Sequence, residues 1–463
     1  MDRLEDMGVP VMPSIAIVGA GWAGLAAAVR LADAGCQVTL FESAKQAGGR
    51  ARTVVWNGTA IDNGQHLLVG AYSATLAIMT QVGIDTANAL RRIPLTLEVP
   101  GRLSLQLPKL PAPLHLAFGL LGARGATLQE KFSAARFMRK LETAKFRLAN
   151  DTTVADWLDL NQQHGALRTH LWESLCLAAL NTHARDASAQ VFANVLRDTL
   201  GASRKATDML LPATDLGQLF PEAALRRLKA AGGNIHFGRR VTRLSRPAAQ
   251  GASKPANVSG WQIDAGGESV QVDHVVLATA AQHLAALLPK TPELDDLNST
   301  IAAYQWEPIA TAYLQYPANQ TLTAPLIAIS REPAQWLADR GQLGGPKGLF
   351  AHVLSGHGDW EKLNNDELVM ALHRATNEVI RRQHGELPLP TPKSHCIIRE
   401  KRATFRCTVG LSRPSTATPL AGLWLAGDHV ACDYPGTLEA AVRSGEAAAS
   451  AILQSQEAKP RQR

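Results

Sequence analysis

The sequence predicts an α/β protein of two domains: a Rossmann-like dinucleotide-binding domain assembled from separated segments, and an α+β substrate domain. Three observations predict it. A strand, a glycine-rich turn, a helix and a second strand follow one another within residues 14–42. A stretch rich in Leu, Ala and Arg, from about residue 70 to about residue 200, reads as helical. Strand patterns then return after residue 212 and again near the C-terminus. At 463 residues, 46% of them hydrophobic, the chain exceeds an average domain and can build a sizeable core.

The elements justify this in order. Ser14 to Val18 (SIAIV) is a short apolar β-rich run, Gly19 to Gly24 a turn, Leu25 to Ala34 a helix by its Ala and Leu content, and Gln37 to Phe41 the next strand. Pro221 to Ala231 reads as a helix ended by Gly232 and Gly233, with strands at Asn234 to Phe237 and Val241 to Leu244. His274 to Ala278 has a buried-strand pattern leading into Thr279, and Ile309 to Tyr316 reads as a strand of an antiparallel sheet. Ala249 to Asn257 is a loop by composition. Leu423 to Ala426 is a strand and Thr437 to Leu453 a long Ala-rich helix. The expected division assigns 14–75, 212–285 and 420–455 to the nucleotide domain, and 76–211 and 286–419 to the substrate domain. No internal repeat is visible.

Composition excludes several classes. Lys and Arg number 47 against 40 acidic residues, for a net charge of +7, but the basic residues are scattered, so nucleic acid is not inferred. Five cysteines, far apart and without CxxC spacing, suit a reducing cytosol and no metal site. Met1 to Pro13 has mixed charge and no apolar core, which fits neither a signal peptide nor an anchor. The apolar uncharged stretch Leu110 to Ala123 is too short for the roughly 20 residues of a membrane span. It fits a core helix, a cavity wall or a segment lying on a membrane. A cytoplasmic location is expected, with peripheral contact at the inner face of the cell membrane as an alternative.

Gly19-Ala20-Gly21-Trp22-Ala23-Gly24 is a GxGxxG between a strand and a helix. Its first glycine permits the turn, its second lets a pyrophosphate approach the backbone, and its third lets helix and strand pack closely. Glu42 ends the second strand, where a carboxylate accepts hydrogen bonds from ribose hydroxyls and repels a 2′-phosphate. What distinguishes FAD from NAD is Gly48-Gly49-Arg50: paired glycines for close approach, and a guanidinium suited to phosphate or flavin oxygens.

These residues resemble the GGR motif shared by amine oxidases, phytoene desaturases and protoporphyrinogen oxidases. Gly427-Asp428, at the end of the Leu423 strand, resembles the closing flavin motif of that superfamily, and Pro435-Gly436-Thr437-Leu438 opens the last helix toward the flavin. Val241 resembles the position whose backbone pairs with adenine. More selective segments are Asp62-Asn63-Gly64-Gln65-His66 with Gly70-Ala71-Tyr72, Trp306-Glu307-Pro308-Ile309, Glu400 to Phe405 (EKRATF) and Pro435 to Gly445 (PGTLEAAVRSG). In these the chain resembles the hydroxysqualene dehydroxylase family, also described as squalene-associated FAD-dependent desaturases. It departs from that pattern at Gly436, where the family often has Ala.

The resemblance implies the two-domain FAD-linked reductase fold, FAD as cofactor and a long-chain isoprenoid substrate, hydroxysqualene. It implies reductive dehydroxylation to squalene with an unidentified electron donor. For the acid that meets the departing hydroxyl, His66 is the first candidate because imidazole titrates near neutrality. Asp62 and Tyr434 are its rivals. Asp62-Asn63-Gly64 also reads as a turn, and His66 as a brace for the flavin. Alternatives are a carotenoid-type desaturase or an amine oxidase, and, from another class, a non-catalytic lipid-binding protein on the same scaffold.

Overall fold

The computed structural model describes residues 12–246, 260–385 and 388–457. The loop read at 249–257 and most of the N-terminal segment 1–13 lie outside the described residues. A five-stranded parallel sheet runs in the order Asn234–Phe237, Gln37–Glu42, Ser14–Val18, His274–Leu277, Leu423–Leu425. Ile15, Ala16, Ile17 and Val275 to Leu277 are fully buried, since helices or strands cover both faces. The helix Trp22–Asp33 starts inside the glycine motif and packs against the last helix, Leu438–Glu457. Gly445 makes that approach close, because a Cβ there would stand 2.1 Å from the Ala23 carbonyl oxygen.

A second five-stranded sheet is antiparallel, in the order Leu326–Arg331, Ala334–Asp339, Leu349–Ser355, Trp306–Gln315, Ser394–Phe405. Strand alternation divides its two faces. Ala310, Ala312 and Leu354 pack with Leu368, Leu372 and Val379 of the helix Asn365–His384. Ile309, Thr311 and Val353 turn the other way, into a cavity between the two sheets.

The run from 70 to 200 is less uniformly helical than its composition predicts. Helices Leu114–Gly122, Leu128–Thr143, Val154–Leu160, Ser174–Leu180 and Ala189–Thr199 are present. Phe137, Trp157, Trp172 and Phe192 fill their core with centroid distances of 4.7 to 6.5 Å. But Leu90–Ile93 is a strand, and Thr96–Val99 with Leu103–Gln106 forms a hairpin. The reason is period-2 alternation: Leu97, Val99, Leu103 and Leu105 are all buried, and Pro100-Gly101 turns the chain between them. Among the described residues no helix is long and apolar enough to cross a membrane, and no group of metal-ligating side chains occurs.

Candidate active site

Backbone packing builds one end of the cavity. Gly19 adopts φ +111°, and a Cβ on Gly24 would lie 2.0 Å from the Gly19 carbonyl oxygen, so only glycine closes the turn. The helix that follows has Gly21 as N-cap with no side chain capping it, and Gly21, Trp22 and Ala23 line the cavity. The Trp22 ring itself faces inward: Nε1 donates to the Ala51 carbonyl at 3.1 Å, and the ring packs on Phe220. The Gly48 amide donates to Ala20 O at 2.8 Å, which sets the second glycine pair against the first. Glu42 sits at the strand end, its carboxylate accepting from the amides of Ala20 and Ala44 at 2.7 Å each. Val241 borders the same end of the cavity.

The far end of the chain closes this cradle. Arg50 pairs with Asp428 at 2.5 Å and donates to the Ala403 carbonyl, so its guanidinium joins the first motif to the last and to the Ser394–Phe405 strand. Burial pushes the Asp428 carboxyl up, but the Arg50 and Arg413 guanidiniums outweigh it and hold the group below the ordinary carboxylate range. His429 is pushed down to about 4 by burial and is therefore neutral. Thr437 Oγ1 accepts from the Ala440 amide at 3.2 Å and caps the last helix. Leu438 lines the cavity beside it.

The cavity holds about 1010 Å³, at the top of the ~300–1,000 Å³ typical of small-molecule sites. Its polar end fits a dinucleotide: uncapped helix amides, glycines at closest approach, and buried Thr279 Oγ1 and Gln282 Oε1 without a hydrogen-bond partner among the described residues. The other end is apolar, lined by Leu175, Phe192, Leu196, Met209, Leu211 and Trp336.

Of the residues the sequence singled out, Gly19, Gly21, Trp22, Ala23, Glu42, Gly49, Arg50, His66, Val241, Gly427, Asp428, Tyr434, Thr437 and Leu438 line this one cavity. Gly24 stands behind the turn. Asp62 does not line it and is withdrawn as a candidate acid. Its Oδ1 accepts from the Leu216 amide at 2.8 Å, and Arg340 lies 3.6 Å from Oδ2. Burial raises its pKa to about 6 despite both. His66 is half-buried with Nδ1 2.8 Å from the Gly64 carbonyl oxygen, and burial lowers its pKa. Tyr434 donates to Asp198 Oδ2 at 2.7 Å, and burial, then that bond, raise its pKa.

Sequence reasoning missed Asn181, Asp198 and Gln282. Asn181, left-handed at φ +48°, gives Nδ2 to Thr404 Oγ1 at 3.0 Å and takes the Gly356 amide at 2.8 Å, bracing two cavity-lining strands against the helical region. Nothing local marks it. Gln282 follows a parallel strand end, a position where ligands gather, and that signal was available.

A parallel sheet with an uncapped glycine turn at the ends of its strands, closed by residues from the opposite end of the chain, defines a nucleotide-cofactor protein. The family model for flavin containing amine oxidoreductases matches residues 22–453, and the chain belongs to that family. The protein is an FAD-dependent oxidoreductase, and the reading as a non-catalytic carrier lapses. The chain is similar to a hydroxysqualene dehydroxylase of Rhodopseudomonas palustris, 29% identical over 465 residues covering 95% of this chain and 98% of that one. It is also similar to a probable zeta-carotene desaturase of Synechococcus elongatus, 24% identical over 96% of this chain and 99% of that one. In fold it matches the cyclohexylamine oxidase of Brevibacterium oxydans, with TM-score 0.69 and 17% identity over 96% and 100% of the two chains.

Proposed function

We propose that the protein removes the hydroxyl of hydroxysqualene and replaces it with hydride, giving squalene for hopanoid synthesis. The observation that carries this reading is the similarity to the Rhodopseudomonas palustris hydroxysqualene dehydroxylase along nearly the whole of both chains. The undivided cavity supports it, since the cradle opens into an apolar lobe without a partition. In the reaction a C–O bond breaks and a C–H bond forms. The oxygen leaves as water after taking one proton, and two electrons come from an external reductant, a diffusible donor or a partner protein. Bound FAD, once reduced, supplies the hydride.

The chain's own residues do the rest. Leu175, Phe192, Leu196 and Leu211 exclude water, so an allylic cation left by the departing oxygen is not recaptured. His66 must carry its proton on Nδ1, because the Gly64 carbonyl only accepts, so the neutral ring offers a lone pair at Nε2. It is a brace or an acceptor. Tyr434 is the other candidate: it borders both the cavity and an adjoining depression with Arg197, Asp198 and Arg443, and to serve as the acid its Oη proton turns from Asp198 to the leaving oxygen and is replaced through that depression. Arg197 keeps Asp198 ionised behind it, against the opposing effect of burial.

The test is anaerobic: photoreduced protein is mixed with hydroxysqualene, and flavin absorbance and squalene are followed together. One squalene per flavin reoxidised is expected, and Tyr434→Phe is expected to slow both. Reoxidation without squalene sinks the reading. A carotenoid-type desaturase, favoured by the Synechococcus elongatus similarity, would instead bleach oxidised flavin with a polyene precursor.

A further inference from the structure

Ten large apolar side chains stand open to solvent among the described residues, and five of them fall within residues 114–132: Leu114, Phe118, Leu121, Leu128 and Phe132. The first three share one face of the helix Leu114–Gly122, while His115 and Gly119 on its other face are buried. Phe118 is 55% and Phe132 69% exposed, so neither is a core residue at the rim. Lys131 Nζ donates to the Leu121 carbonyl at 2.8 Å and fastens the second helix, Leu128–Thr143, beside the first. From residue 99 to residue 141 the chain carries seven Lys and Arg and a single acid, Glu130, whose carboxylate is held in the Thr127 cap.

We propose that this helical pair is a docking surface for an anionic phospholipid bilayer, with the apolar side chains entering one leaflet and the basic residues meeting lipid phosphates. The charge selects the occupant. A second copy of this chain would set like charges against each other, whereas lipid phosphates complement them. The helix Leu114–Gly122 has nine residues, so it lies in the plane of the leaflet and does not cross it. Its buried face reaches the cavity: His115 Nε2 is 3.1 Å from Thr207 Oγ1, and Thr207 lines the cavity wall. A lipid-seated helix therefore stands one side chain from the interior.

Flotation of the flavin-loaded protein with phosphatidylcholine vesicles, with and without phosphatidylglycerol, tests this. Binding is expected to be more than about tenfold tighter to the anionic vesicles and to weaken with salt. Phe118→Ser combined with Phe132→Ser is expected to abolish it while flavin absorbance and the thermal midpoint stay unchanged. Arg124→Gln with Arg139→Gln is expected to remove only the anionic preference. Equal flotation of the wild type and the phenylalanine variant overturns the proposal. So does a dimer that binds no vesicle and is dissolved by that same variant, which would make the occupant a second copy. Vesicle binding needs no substrate, so its failure and that of the dehydroxylase reading are distinguishable.

Discussion

The two ends of the cavity are made by different means. At the cradle, backbone meets backbone: Gly19, Gly24, Gly48 and Gly49 allow contacts that any Cβ would obstruct, and one ion pair locks the arrangement. In the apolar lobe, side chains arrive from at least five separate elements, and what they share is volume and lack of polarity. The cradle is therefore intolerant at single positions, whereas the lobe tolerates exchange of one hydrophobe for another of similar size. Chemistry common to a superfamily can stay fixed at one end while substrate preference drifts at the other.

Substitutions that separate the two ends sharpen this contrast. Gly24→Val drives a side chain into the Gly19 carbonyl and Ala278, and is expected to cost more than about 3 kcal/mol and yield colourless protein, read by flavin absorbance on purification. Arg50→Ala strands Asp428. Because the Arg50 side chain is about one-third exposed, the loss should fall somewhat below that of a fully buried pair, about 2–3 kcal/mol by chemical denaturation, with weakened flavin retention.

Asp62 belongs to neither end, and pH reveals it. Its folded pKa of about 6 lies above the ordinary 3.8, so the folded form holds the proton more tightly. Its stability contribution is complete at low pH and is lost as pH rises from about 4 through about 6, by up to about 3 kcal/mol. Asp62→Asn is expected to flatten that slope in denaturation curves without changing the flavin spectrum. Retained slope would assign the titration elsewhere. The smallest effect belongs to the lobe. Ala179→Trp narrows it and is expected to lower kcat/KM about tenfold, near 1.4 kcal/mol, with flavin content intact. Loss of flavin in that variant would erase the distinction between the ends.

The same difference governs what the sequence reveals. Gly19 to Gly24, Glu42, Gly48 to Arg50 and Gly427-Asp428 are legible because backbone geometry dictates residue type at fixed spacing. The strands Ser14–Val18 and Asn234–Phe237 were legible to the residue from apolar runs bounded by turn signals. The hairpin at 96–106 was equally readable from its alternation, but the Leu- and Arg-rich composition around it argued helix and masked the period. The lobe left no motif, since Leu175, Met209 and Trp336 meet only in three dimensions. Asp62 misled for a physical reason: an acidic residue before Asn-Gly looks the same in sequence whether its carboxylate faces a cavity or, as here at the end of the strand Thr59–Asp62, the Leu216 amide and Arg340.

Glu439 adds a temporal consequence. Fully buried in the last helix, its carboxylate accepts from the amides of Ala74 and Thr75 at 3.0 and 2.9 Å, and Gly427-Asp428 reaches Arg50 from the same part of the chain. A chain that has already made its glycine turn, but not yet its final helix, has half a binding wall and a helix, Ser73–Gln81, whose first amides lack the Glu439 acceptor. Flavin capture therefore waits for the last helix to dock, and cofactor supply acts on a chain that already has both walls instead of steering the folding of the first.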